Sequence, residues 1–296
     1  MSKQKFGFAA VIAASIYLGM DGSAAAYNVT IDQFYIEKNG SQYVNDTFSD
    51  NIAPPSGSGV FGTGTAPVSY NTVGGWTESG GRAAANSANG LNTTSVTTGD
   101  PLIFSRARVN SNIDPNNLII GLKNDDTFEV RGLFDLSSTL DTPGSYGIRI
   151  GDSGPGGIGN DRSQLSVRRT STGNFNVSFA DFDLTAGSVT NLDADTLQSG
   201  HDQILLVLTR ATTSSGITAS YAYVDGGSID IGDSGALAGL TFETMDGVST
   251  AFDGEAFTRA EFFASESPIQ VNEPGILAVF GLGLTGLGIV RRRKRT

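Results

Sequence analysis

The sequence predicts an all-β body, a single β-sandwich of about 250 residues, set between two apolar ends. Three observations carry this. Short apolar–polar alternations of period 2 recur through the middle of the chain, bounded by Gly, Asn, Asp and Ser, as half-buried strands require. No long stretch of the body has the 3.6-residue period of an amphipathic helix. Beyond residue 100 there is neither a second composition regime nor an internal repeat, so one domain suffices.

The N-terminal segment 1–26 reads as a signal peptide. Lys3 and Lys5 precede an apolar run from Phe6 to Met20, and Ala24 and Ala26 supply the small side chains that signal peptidase needs before Tyr27. The run is shorter than the ~20 residues of a permanent span. Residues 27–268 form the predicted sandwich domain. Its stretch 51–99 is rich in Gly, Ser, Thr and Asn, but Phe61, Val68, Tyr70, Val73 and Trp76 supply anchors. Loops with short strands are expected there, not a free linker.

Clearer strands follow. Phe128, Val130 and Phe134 lie in 127–136; Tyr146, Ile148 and Ile150 alternate with Gly147 and Arg149; Phe175, Val177 and Phe179 alternate with Asn176 and Ser178. The run Ile204–Leu208 is continuously apolar, which predicts a strand covered on both faces. Ile217–Val224 follows across Ser214, Ser215 and Gly216 as a hairpin partner, ended by Asp225, Gly226 and Gly227. Phe257–Ala264 reads as the closing strand.

The C-terminal segment 269–296 has three parts. A motif at 272–275 contains Glu273, Pro274 and Gly275; an apolar helix is expected over 276–290; a basic tail, 291–296, opens with Arg291, Arg292 and Arg293. Such a helix is about 22 Å long, short of a ~30 Å hydrocarbon core, and inserts only with thinning or arginine snorkelling. Its basic end sets the cytoplasmic side.

Charge and composition exclude several functions. The chain has 19 basic and 30 acidic residues, no Cys and one His. Without Lys3, Lys5, Asp21 and the five basic tail residues, residues 27–273 keep 12 basic and 29 acidic residues, net −17. That balance opposes nucleic-acid binding. Absence of Cys rules out disulfides, thiolate zinc sites and Cys nucleophiles, and a lone His rules out multi-histidine metal centres.

The C-terminal segment resembles the PEP-CTERM sorting signal of exported bacterial proteins, with Asn272 standing where the motif's first Pro is usual. The resemblance implies recognition by an exosortase in the inner membrane and release to the cell surface or extracellular matrix. The body resembles the concanavalin A-like lectin/glucanase superfamily, a jelly roll of two antiparallel sheets. The similar pieces are Phe48–Asp50, Gly74–Thr77, Gly80–Arg82, Gln203–Arg210, Ile217–Tyr221, Asp225–Gly227, Phe252–Glu255 and Phe257–Ala260. This fold hosts lectins, hydrolases and passive modules, so function must come from the site.

Hydrolysis of a glycoside needs two carboxylates about 5–9 Å apart across the sugar. The superfamily's glucanases place theirs on alternate positions of one strand, and no such acid run occurs here. Asp181 and Asp183, or Glu129 followed by Arg131, are the nearest approximations, and Glu255, Arg259 and Glu261 share a face of a regular closing strand. A non-enzyme is therefore expected. Structural Ca²⁺ would suit the Gly-rich stretch 151–161 through Asp152, Asn160 and Asp161, with 225–233 as a second acidic loop. Trp76 and Tyr70 are candidates for stacking on a sugar, against a core role for Trp76. His201, beside Asp202, reads as a capping or surface residue. The leading expectation is an exported matrix protein with a non-catalytic, exopolysaccharide-associated body. A calcium-dependent lectin and a divergent glycoside hydrolase are the alternatives.

Overall fold

In the computed structural model the described residues are 27–49, 59–61, 68–94, 101–109, 121–123, 125–151, 161–183, 188–249 and 257–267. The signal segment 1–26 and the sorting segment 269–296 lie outside them, as do the helices expected there. In chain order the strands are β1 (Asn28–Lys38), β2 (Ser41–Asp46), β3 (Gly59–Phe61), β4 (Val68–Val73), β5 (Trp76–Glu78), β6 (Ala83–Asn86), β7 (Leu91–Thr94), β8 (Pro101–Val109) and β9 (Leu122–Lys123). They continue as β10 (Phe128–Asp135), β11 (Gly144–Gly151), β12 (Arg162–Arg169), β13 (Phe175–Asp183), β14 (Ser188–Thr196), β15 (Gln203–Arg210), β16 (Ile217–Val224), β17 (Glu243–Ser249) and β18 (Phe257–Glu266). Among the described residues no helix is long and apolar enough to cross a membrane.

Two antiparallel sheets form a β-sandwich. The first runs β17-β16-β15-β10-β1 and then divides, β2 and the β6-β5 pair lying end to end beside β1. The second runs β14-β13-β12-β11-β18-β8-β4-β3, with β7 beside β8 and β9 beside β18. The chain crosses repeatedly between them, so spatial neighbours such as β1 and β10, or β11 and β18, are remote in sequence. Gly74 permits one crossing, from β4 to β5. Its φ is +73°, and a Cβ there would lie 2.3 Å from the Phe104 carbonyl oxygen.

Period-2 alternation sends one set of side chains from each sheet into a shared core. Val130 and Phe134 of β10, and Ile204, Leu206 and Leu208 of β15, meet Ile148 and Ile150 of β11 and Leu165 and Val167 of β12. Gly132 lets the sheets approach, because a Cβ there would stand 2.6 Å from Ile148 Cγ2. Around Phe262 of β18 the core is aromatic. Its ring centroid lies 4.8 Å from Trp76, 5.1 Å from Phe34, 5.6 Å from Tyr70 and 5.7 Å from Phe48, each edge-on.

The first sheet's outer face is also apolar, and the chain covers it. Tyr35, Leu133, Leu205, Val207 and Val224 pack against Ile231, with Ile229, Leu237 and Leu240 beside them. The covering segment links β16 to β17 and contains one helical turn, Ser234–Leu237, capped by Asp233. Gln33 pins it: its side chain donates to Asp230 Oδ1 at 2.6 Å and accepts from the Ile231 N–H at 2.9 Å. This second layer explains why Ile204–Leu208 is apolar at every position.

Truncating Phe262 removes the ring that joins the two sheets' aromatics. Phe262→Ala is expected to cost about 3–5 kcal/mol in urea unfolding followed by Trp76 fluorescence. A loss below about 1 kcal/mol, the size of an ordinary substitution, would place the centre of the core elsewhere.

Candidate functional site

The second sheet's outer face has a different chemistry. On β11, Ile148 and Ile150 point into the core, so Arg149 points out; the same alternation turns Arg106 and Arg108 of β8, Arg162 and Arg168 of β12, and Arg259 and Glu261 of β18 outward. Register then assembles them. Gln164, Arg149, Glu261 and Arg108 stand side by side across β12, β11, β18 and β8, and Arg162 and Arg259 flank Gly151 in the next row. Lys123 of β9 also faces outward, since Leu122 enters the core. Seven of the body's 12 basic residues thus occupy this face, with Glu261 as the only carboxylate among its described strand positions.

Glu261 organises the centre. Arg108 Nε donates to Glu261 Oε2 at 2.7 Å, Arg106 Nη1 reaches the same oxygen at 3.4 Å, and Arg149 Nε donates to Oε1. All four side chains are buried, at 3–7% exposure. The Arg149 guanidinium also lies over the rings of Phe104 and Phe263, at 4.9 and 4.8 Å from their centroids. Small side chains pave the neighbouring strands: Gly147, Ser166, Ser178 and Ala180. At the half-buried rim, the Arg162 guanidinium stacks over Phe182 at 4.1 Å. Among the described residues its Nε and Nη1 have no hydrogen-bond partner, although both atoms are buried.

The electrostatics follow from too many cations around one acid. Burial alone would raise the Glu261 carboxyl, but Arg149, Arg108 and Arg106 outweigh it and hold the group well below the usual carboxylate range. Burial, and then its cationic neighbours, lower Arg162 to about 9. Burial similarly lowers Arg106 to about 10, although Glu261 opposes the shift. Such a face favours an anion, and planar guanidinium forks suit a carboxylate or a phosphate.

Several residues singled out in the sequence have other duties. Trp76 and Tyr70 are each 1% exposed and pack on Phe262, leaving no ring face for a sugar. Asp152 and Asn160 lie outside the described residues; Asp161, half-buried, immediately precedes β12. Ala24, Ala26, Glu273, Pro274, Gly275, Arg291, Arg292 and Arg293 also lie outside them. In the loop 225–233, Asp225 accepts from the Asp202 N–H and pairs with His201 Nδ1 at 2.8 Å, Asp230 holds Gln33, and Asp233 caps the helical turn. Those carboxylates hold their own loop in shape. Among the described residues no three His, Asp or Glu side chains gather as metal ligands.

The acids considered for hydrolysis do not converge. Glu129 lies on the first sheet's outer face and binds Arg131, which stacks on Tyr35 and donates to the Ile231 carbonyl. Asp181 is on the second sheet, opposite Ser163, on the inward side. Asp183 is exposed at the end of β13. A separate cleft of about 810 Å³ opens by the β1 bulge, where Arg82 bridges Asp32 at 3.4 Å and Asp135 at 3.5 Å. Gln203 donates to Asp32 there, so both carboxylates already have partners.

No protein-family model and no curated protein matches the chain. The geometry of the arginine face therefore carries the functional argument.

Because Glu261 is depressed by the fold, its contribution is fully present above its unfolded value of about 4.5 and is lost as pH falls toward the folded value. Glu261→Gln leaves three buried guanidinium groups without their anion. At pH 7 it is expected to lose about 3–5 kcal/mol in denaturant unfolding, and to show a shallower decline below pH 4.5 than the parent. Parallel acid limbs for the two proteins would remove Glu261 from this role.

Proposed function

We propose that this chain is an exported, surface-sorted bacterial protein whose non-catalytic body associates with extracellular polysaccharide. The observation that carries the reading is the gathering of seven cations on one strand face in a body of net charge −17. The first sheet's outer face is covered by the chain's own apolar segment, so the cations concentrate on the second sheet.

The address comes from the ends. Segment 1–26 delivers the chain to the export machinery and signal peptidase. The Glu273-Pro274 motif, the apolar stretch 276–290 and the basic tail resemble a PEP-CTERM signal, which would hold the protein at the inner membrane until an exosortase releases it to the surface or matrix. The body is a jelly roll of the concanavalin A-like kind in this reading; repeated crossing between two antiparallel sheets supports it. Separation of Glu129 from Asp181 and Asp183 supports a binding module over a hydrolase.

Removal of Ile276–Thr296 tests the sorting claim. The shortened protein is expected in the soluble secreted or periplasmic fraction, whereas the parent stays with the surface or matrix. Unchanged surface retention would contradict it. Reducing-end assays on bacterial exopolysaccharide are expected to show no release by either form, and steady release would favour the hydrolase.

A further inference from the structure

We propose that a groove across one end of the sandwich binds a neutral polysaccharide chain through its hydroxyl groups. This rests on the polysaccharide-associated reading and names a ligand class and a place for it, apart from the Glu261 cluster. Three clefts of about 810, 670 and 410 Å³ adjoin there, each within the ~300–1,000 Å³ range of small-ligand sites. Leu136 lines all three, His201 lines the first and second, and Phe175 and Leu197 line the second and third. Strand ends gather around them. Asp135 at the end of β10 faces Gln203 at the start of β15, and Asn176 near the start of β13 faces Thr196 at the end of β14. Both sheets therefore contribute to the groove.

Its floor is apolar and its rim polar. Leu136, Phe175 and Leu197 are half-buried against the core. The backbone fixes them, the Leu136 N–H donating to the Asp202 carbonyl at 2.9 Å and the Leu197 N–H to the Phe175 carbonyl at 3.0 Å. His201 stands where the first two clefts meet, stacked on Tyr223 with ring centroids 4.2 Å apart. Around the second cleft are the amides of Asn174, Asn176 and Gln198 and the hydroxyls of Thr196 and Ser199. Among the described residues His201 is the only titratable group lining it. Amides and hydroxyls both donate and accept, as sugar hydroxyls do, while the half-buried apolar side chains suit the C–H faces of the rings. A Cβ at Gly80, Gly81 or Gly200 would meet nothing within 4 Å, so the lips leave room for a chain to pass.

Charge sets the ligand class. In the first cleft Arg82 stands between Asp32 and Asp135, at 3.4 and 3.5 Å, and Asp202 adds a third carboxylate. The third cleft has one acid, Asp141, and one base, Arg169. The groove thus offers no surplus cation in a body of net charge −17, so an acidic polymer is repelled and a neutral one is not.

The test measures binding of the purified protein to laminarin, dextran, galactomannan, polygalacturonate, dextran sulfate and the native exopolysaccharide. At least one neutral polymer is expected to bind at least tenfold more tightly than polygalacturonate or dextran sulfate. Oligosaccharides cut from it are expected to bind more tightly as they lengthen from one unit to several. Asn174→Ala combined with Gln198→Ala, both at exposed positions, is expected to weaken that binding about tenfold with the unfolding midpoint unchanged. Ser199→Trp, which fills the second cleft from its exposed lip, is expected to block it. Equal or stronger binding of the acidic polymers would overturn the neutral class. Affinity already maximal with one sugar unit would overturn the extended groove. Binding that ignores all three substitutions would overturn the site, while leaving the polysaccharide reading in place. Failure of every polymer, the native exopolysaccharide included, would defeat both.

Discussion

Strand β18 holds the structure together because its two faces perform opposite tasks. Its even-numbered residues, Ala260, Phe262 and Ala264, enter the core, where Phe262 touches aromatic rings from both sheets. Its odd-numbered residues point outward, where Glu261 gathers three arginines from strands on either side. A one-residue slip of register would expel Phe262 and bury Glu261 in an apolar core without partners. Hydrophobic burial and the outer ion network therefore enforce the same register. β18 lies between β11 and β8, so that register passes to both neighbours.

The two outer faces carry opposite chemistry, apolar on the first sheet and cationic on the second. On the first sheet, Leu205 and Val207 are covered by Ile231 and its neighbours, and Gln33 ties the cover down. On the second, the same outward positions carry arginine, glutamine, serine and glycine. An acidic body keeps its cations where they can share Glu261 and stack on Phe104, Phe263 and Phe182. Desolvation makes that concentration costly, and the shared Glu261 and the aromatic rings offset the cost.

Much of this was legible in the sequence where burial is one-sided. The strands expected around Tyr146–Ile150, Phe175–Phe179, Ile217–Val224 and Phe257–Ala264 are present, and the apolar run at Ile204–Leu208 is covered on both faces. Strand β1 was not legible because a bulge between Ile31 and Gln33 breaks its period. Strand β14 was hidden for a different reason: it is an edge strand with mostly exposed residues, so no apolar alternation marks it. Trp76 drew attention as a sugar platform, yet the glycine turn before it delivers the ring to Phe262. The arginine face was half visible. Alternation alone turns Arg149 away from Ile148, but only strand order brings Arg108, Arg149 and Glu261 into one row, and that order joins segments more than 100 residues apart.

Hydrogen–deuterium exchange of the purified parent protein and of Glu261→Gln tests most directly whether the outer ion network helps to fix the register that β18 shares with its neighbours. Faster exchange is expected in β8, β11 and β18, with β15 and β16 unchanged. Equal exchange in β18 of the two proteins would contradict the account.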